Sequence, residues 1–221
     1  MGTHRPIFIA IDGIDGSGKT TLSSNLGALF ADYEPELTKE PTADSEWGRR
    51  LRLSATEGRL PRETEIDYFH RDRLHHIEHC IRPCLEQGRV VICDRYVDST
   101  LAFQARDEQE ADAMFARFEQ EILLPDVTFI LRCPVTVGLQ RINENRPEKS
   151  TFEEVGTLDH AHRIYEHRVS KGGNYFAIDA TGSIHDTLRQ AVAALIRLFP
   201  DLEQTLRSHH RRLFPDQAGN F

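Results

Sequence analysis

The sequence predicts an α/β fold built on a parallel sheet with helices on both faces. Three observations carry this. Short apolar runs recur at residues 7–11, 90–93, 127–131 and 175–178, and the first two are continuous enough to read as strands buried on both faces. Segments with helical spacing of apolar residues separate them, the alternation expected of a parallel sheet covered on both sides. A glycine-rich turn joins the first run directly to the first helical segment.

Taken in order, Ile7 to Ile11 reads as a strand buried on both faces. Thr20 to about Ala31 carries Leu22, Leu26, Leu29 and Phe30 at helical spacing. Thr64 to Gln87 reads as one long helix with Ile66, Phe69, Ile77, Ile81 and Leu85 mostly on one side. Pro83 should bend or shorten its last turns, and Gly88 ends it. Arg89 to Cys93 is the next buried strand. Glu110 to Leu124 is predicted helical, with Met114, Phe115, Phe118 and Ile122 inward, and Pro125-Asp126 break it before the strand Val127 to Leu131. The polar stretch Asn145 to Glu154, with Pro147 in it, reads as a mobile loop. Helical spacing resumes over Leu158 to Val169, a strand follows at Tyr175 to Ile178, and Thr187 to Phe199 forms a helix on Leu188, Val192, Leu195 and Ile196. From about Arg207 the chain is basic and then Pro- and Gly-containing. This predicts one domain over residues 1–206 and a frayed tail over 207–221.

A length of 221 residues suits a single α/β domain. With 28% charged and 39% hydrophobic residues, the composition is that of a soluble globular chain. The formal net charge of -8 argues against a protein that coats nucleic acid, so any bound phosphate needs a local basic site. No apolar run is long enough for a membrane span, and Pro6 to Ile11 runs into the glycine turn rather than a signal-peptide cleavage site. The expectation is a cytoplasmic protein with neither membrane nor nucleic-acid partners. Cys80, Cys84, Cys93 and Cys133 form no C-x-x-C pair and read as reduced thiols on core faces. His70, His75, His76 and His79 crowd one helix. His75 and His79 have a zinc-compatible spacing but lack a third ligand, so a structural or solvent-facing role is expected.

Gly13-Ile14-Asp15-Gly16-Ser17-Gly18-Lys19-Thr20 matches G-x-x-x-x-G-K-[ST] at every fixed position, between a buried strand and an amphipathic helix as the motif requires. Glycines let backbone N–H groups turn inward around phosphate oxygens, and the helix start adds partial positive charge. Lys19 can reach β- and γ-phosphates, and Thr20 can ligate Mg²⁺. Asp94-Arg95-Tyr96 follows a second buried strand. Ligands of open parallel sheets bind off the carboxyl ends of strands, so both motifs should share a cleft. There Asp94 would hold Mg²⁺ or its water, and Arg95 would clamp a phosphate with its planar fork.

These runs, in this order, resemble the thymidylate kinase family: Asp12 to Thr21, Lys39-Glu40-Pro41-Thr42, Phe69 to Ile77, Asp94 to Gln104, and Ile178-Asp179-Ala180. The resemblance spans roughly residues 6 to 200 and is most specific over Asp94 to Gln104. It implies a P-loop kinase fold with a five-stranded parallel sheet and a short mobile lid at about 143–155. It implies transfer of a phosphoryl group from Mg·ATP to dTMP in a homodimer packed through long helices. Gly13 to Thr21 would hold ATP, with Ala180 to Ser183 near its adenine. Phe69 would stack on the base, Arg73 one turn later would bond its carbonyl edge, and Gln104 would reach the same edge. Ser99 or Thr100 would shape the pocket floor. Asp15 would meet the 3′-hydroxyl and orient Arg95. Asp12, Lys39, Glu40, Pro41 and Tyr96 complete the expected acceptor site. Catalysis would rest on Lys19, Arg95, Asp15 and a lid cation. Arg141, Arg146 and Lys149 are the available lid cations, and Arg146 is expected to be the catalytic one.

Several positions depart from the family pattern. Asp12 replaces the usual Glu, and Lys39 replaces an arginine and so cannot form a bidentate fork. Ala105-Arg106 follow Gln104 in place of glycine. The lid lacks Asp-Arg-Ile-Glu, with Glu153 and Glu154 nearest, and Ala43 to Gly48 with Trp47 reads as a longer loop. The changes lie around the acceptor site and lid, so a modified pyrimidine nucleotide is an alternative acceptor. A deoxynucleoside kinase would need a carboxylate base, for which Asp12 or Glu40 could serve, but the pair Arg73 and Arg95 argues for an anionic acceptor. A non-catalytic nucleotide-binding module would need none of the acceptor-side residues.

Overall fold

The computed structural model describes residues 5–145 and 155–214. It opens with β1 (Ile7–Gly13), in which every residue is buried. Side chains alternate across a strand, so Ile7, Ile9 and Ile11 enter one apolar cluster while Phe8 and Ala10 enter another. There follow α1 (Lys19–Leu29), β2 (Glu36–Lys39), α2 (Glu46–Glu57), α3 (Arg62–His76), α4 (Arg82–Glu86), β3 (Val90–Asp94), α5 (Val97–Gln104) and α6 (Glu108–Phe118). The chain continues through β4 (Val127–Arg132), α7 (Val135–Asn145), α8 (Val155–Ser170), β5 (Tyr175–Asp179), α9 (Ile184–Leu198) and α10 (Glu203–Leu213).

The five strands are all parallel, in the order β2-β3-β1-β4-β5. The first apolar cluster packs α1, α9 and α10 on one face through Leu22, Leu26, Leu188, Leu195 and Leu206. The second packs α3, α5, α6 and α8 on the other through Ile66, Leu101, Phe118, Leu158 and Ile164. Register sets the rim from which the site is built. Asp94 lies opposite both Ile11 and Lys39, and Leu131 lies opposite Gly13. The phosphate loop, Asp94 and Lys39 therefore leave the sheet side by side.

The long predicted helix is one continuous run with a π turn at Ile77–Ile81, where the Arg82 N–H bonds to the Ile77 carbonyl. Pro83 supplies no N–H, and its ring would crowd the carbonyl four residues back. The widened turn just before it accommodates both. Four elements give no clear signal in the sequence. β2 is a four-residue edge strand bearing Glu36 and Lys39, too short to show a period. α5 carries Asp98, Ser99 and Gln104 among its apolar residues. The other two are α2 and α7. The expected loop at Ala43 to Gly48 stops at Ser45, whose side chain accepts from the Gly48 N–H as an N-cap, and Trp47 lies in the first turn of α2.

The expectation of a frayed tail from Arg207 is corrected over its first part. Residues 207–213 complete α10, which buries Leu206, His209 and His210, and the His209 ring bonds to the Leu29 carbonyl at 2.7 Å. Residues 215–221, and positions 146–154 of the expected lid with Arg146, Lys149, Glu153 and Glu154, lie outside the described residues. Among the described residues, no helix is long and apolar enough to cross a membrane. The four cysteines are unpaired. His75 and His79 stack on each other at 4.0 Å, and His70 stacks on Phe118 at 4.8 Å, which are packing roles.

Candidate active site

The phosphate loop closes on itself through glycine. Gly13, Gly16 and Gly18 have φ of 144°, 76° and 95°, values that side chains disfavour. At Gly16 space is also short, since a Cβ there would lie 2.2 Å from the Gly138 carbonyl oxygen on α7. Lys19 is buried and donates to the carbonyls of Gly13 at 3.0 Å and Ile14 at 2.8 Å. Burial, then the neighbouring Arg95 charge, lowers its pKa to about 8. Thr20 and Thr21 face solvent at the mouth, and a cleft of about 290 Å³ runs from them past Lys19, Lys39, Asp94 and Arg95 to Arg141. A second hollow of about 230 Å³ lies between Thr21, Leu22 and the Ala180–Ile184 stretch, where adenine is expected. Arg141 lines both and donates to the Ala180 carbonyl at 3.0 Å.

Thr20 Oγ1 donates to Asp94 Oδ2 at 2.6 Å, and Lys39 Nζ lies 3.8 Å from the same oxygen. Asp94 Oδ1 is buried with no hydrogen-bond partner. A hydroxyl and a carboxylate with an unused oxygen are the hard donors a divalent cation prefers, so these residues fit the metal that such a cleft implies.

Arg95 has a φ of 74°, rare for a side-chain-bearing residue, and its N–H bonds to the Ile11 carbonyl at 2.8 Å. This turn aims the guanidinium back across the loop. It donates to Asp15 Oδ1 and to Ser99 Oγ at 3.2 Å. Burial disfavours the charge, but Asp15, Tyr165, Asp94 and Asp12 together outweigh it and raise the pKa, so Arg95 stays cationic. Ser99 donates to Asp12 Oδ1 and meets the Tyr165 hydroxyl at 3.0 Å. Burial, followed by the Asp98 charge, pushes Asp12 up to about 6, and its Oδ2 is buried without a partner.

The residues expected on the acceptor side lie between α3 and α5. Glu65, Phe69 and Arg73 are four residues apart on one face of α3, and Thr100 and Gln104 are likewise spaced on α5. Arg73 is fully buried. It donates to Glu40 Oε2 at 2.7 Å and Thr100 Oγ1 at 3.0 Å, and lies 4.9 Å over the Tyr96 ring. Its Nε and one terminal nitrogen have no hydrogen-bond partner. Phe69 is half-buried and belongs to neither apolar cluster. Gln104 donates to Glu65 at 2.9 Å, and its Oε1 is buried without a partner. The Tyr96 hydroxyl donates to the Leu123 carbonyl at 2.7 Å, and its ring packs on Phe8 and floors Arg73.

A supporting layer was not read from sequence. His76 bridges Glu40 at 3.1 Å and Thr38 at 2.7 Å. Burial opposes its charge, but hydrogen bonds with Cys80 and Glu40 raise its pKa to about 9. Asp72 accepts from the Thr42 N–H at 2.8 Å, Thr42 Oγ1 at 2.6 Å and Ser45 Oγ, fixing the segment after Pro41. Arg168 and Asp98 form a buried pair at 2.8 Å that ties α8 to α5. For Tyr165 and His76 nothing in the local pattern sets them apart from core residues. Glu65 had one signal, since it shares the α3 face of Phe69 and Arg73.

A parallel sheet with a glycine phosphate loop, a metal-ready carboxylate and an arginine-lined second site defines a P-loop phosphotransferase. The family model for thymidylate kinase matches residues 11–191. A Xanthomonas campestris pv. campestris protein named thymidylate kinase is 37% identical over 197 residues, covering 88% of this chain and 85% of its own. One of the same name from Xylella fastidiosa is 36% identical over 194 residues, covering 87% and 91%. The chain belongs to the thymidylate kinase family.

Proposed function

We propose that this protein transfers the γ-phosphoryl group of ATP to dTMP, giving dTDP and ADP. The observation that carries the acceptor is the buried, half-paired guanidinium of Arg73, one turn from Phe69 on the same helix face. A ring between these groups would stack on Phe69 and present a carbonyl to the unpartnered nitrogens of Arg73. The acceptor is already an anion, so it attacks phosphorus in line without a strong base. Lys19 and Arg95 neutralise charge spread over the transferring group, and Asp15 holds Arg95 in place. Arg141, which lines both hollows, is the cation that supports the donor side within the described residues; Arg146 remains a lid candidate. Thr20 and Asp94 would hold Mg²⁺, which when bound shields the β- and γ-phosphate charge. We assign a cytoplasmic, homodimeric state to the enzyme, with no membrane or nucleic-acid partner, on the family resemblance; light scattering tests the dimer.

A coupled ADP-release assay with Mg·ATP decides the acceptor. Preference for dTMP over dCMP, dGMP and thymidine is expected, and Phe69→Ala and Arg73→Ala should lose the acceptor while retaining ATP. Phosphorylation of thymidine but not dTMP would replace this reading by a nucleoside kinase. Exclusive use of a carbon-5-modified nucleotide would move attention to Lys39, Trp47 and Gln104.

A further inference from the structure

Glu65 on α3 is a fully buried carboxyl side chain. Both its oxygens are engaged. Arg59 donates to each, and Gln104 Nε2 donates to Oε2 at 2.9 Å. Arg59 offsets the charge, with 35% of its side chain exposed against 0% for Glu65. The carboxylate therefore adds little to net electrostatics. What it adds is direction.

A carboxylate paired with arginine only accepts hydrogen bonds. A glutamine side chain has one donor end and one acceptor end, and rotating it by half a turn exchanges them. Facing Glu65, Gln104 must present its NH₂, because the reversed amide would set oxygen against oxygen. The Gln104 carbonyl is thereby turned away from Glu65, and Oε1 is buried without a donor. The backbone of Gln104 is held too, since Arg62 Nε donates to its carbonyl at 2.7 Å. One rung of the α3–α5 slot is thus Glu65–Gln104 and the other is Arg73–Thr100. Phe69 lies midway between Glu65 and Arg73.

We infer that Glu65 is a positioning residue that sets base selectivity by locking Gln104 with its carbonyl as the only group on offer. This rests on the reading that the acceptor base lies in the α3–α5 slot. A fixed acceptor beside the fixed donors of Arg73 matches a pyrimidine with N3–H next to a C4 carbonyl, as in thymine and uracil. Cytosine opposes both, with a bare N3 against the Gln104 oxygen and a C4 amine against the guanidinium. A site with buried polar groups rejects such a mismatch strongly because those groups are left unpaired.

The test compares dUMP with dCMP, which differ only along that edge, using kcat/KM. The unaltered enzyme should favour dUMP by about 100-fold or more. In Glu65→Gln the residue can donate or accept, Gln104 can turn, and the dUMP:dCMP ratio should fall by about 10-fold or more. A merely structural role would lower both substrates together and leave the ratio unchanged, which overturns the inference. Gln104→Leu should already show the low ratio, and adding Glu65→Gln to it should change the ratio no further; a further fall overturns the inference. Should Glu65→Gln fail to fold, Gln104→Leu still tests the lock: a dUMP:dCMP ratio equal to that of the unaltered enzyme overturns the inference. Equal use of dUMP and dCMP alongside dTMP sinks this inference alone. Failure to phosphorylate dTMP and dUMP alike sinks the reading of the acceptor as well.

Discussion

Replacing Gly138 by alanine places one methyl group where the phosphate loop has its backbone. The added Cβ would lie 2.7 Å from the Asp15 carbonyl oxygen and 3.3 Å from Ile14 Cδ1. Ordinary contact begins near 3.4 Å, so α7 and the loop must separate by about 0.7 Å. Two effects compete. Alanine is the better helix residue by about 0.5–1 kcal/mol, and Gly138 shows no positive φ that would cancel this gain. Overpacking against backbone costs about 1–3 kcal/mol. Sterics should win by about 1 kcal/mol, which for a chain of this size lowers Tm by roughly 2–4 °C. The functional cost should exceed the stability cost, because the displaced atoms belong to the loop that must fit the phosphates. A misplacement of this order can cost about 10- to 100-fold in rate. Differential scanning calorimetry gives Tm, and the coupled assay gives KM for ATP. A higher Tm with unchanged ATP kinetics would falsify the steric argument, because it would mean that helix propensity outweighs the contact.

Asp94→Asn should leave Tm within a few degrees and lower kcat by at least about 100-fold, with weaker Mg²⁺ dependence, since it removes a charge from the metal-ready pair with Thr20; near-normal turnover at saturating Mg²⁺ would refute that role. Asp72→Ala strips the partners of three buried donors, Thr42 N–H, Thr42 Oγ1 and Ser45 Oγ, and should cost about 3–5 kcal/mol in urea unfolding. A loss under 1 kcal/mol would show that the segment after Pro41 is held by something else. The folded-state pKa of His76, about 9, stands above its ordinary 6.5. Its stabilisation is therefore fully present below about pH 6.5 and lost as pH rises through 9. His76→Gln should flatten the fall in Tm between those values, and an unchanged profile would remove His76 from the account.

Local chemistry in the chain was enough to specify the phosphate loop. Its glycines, lysine and threonine are consecutive, and their function depends on backbone they themselves form. The buried strands were legible for a similar reason, because a strand covered on both faces is apolar at every position. Phe69 and Arg73 could be placed on one face because helical spacing is regular. What escaped the sequence depends on residues distant along the chain. β2 is too short and charged to show a period, and it is a strand because β3 offers it a partner. α10 looked like a tail because its basic residues dominate, while its burial comes from packing against α1 and α9. Glu40, His76, Glu65 and Gln104 join through contacts 36 to 39 residues apart. A hydrogen bond between side chains needs both partners within about 3 Å and correctly aimed, and only the packed helices decide that. The kind of chemistry was therefore written in one contiguous motif, while the way its acceptor side is held in place emerged only when α3, α5 and the sheet edge met.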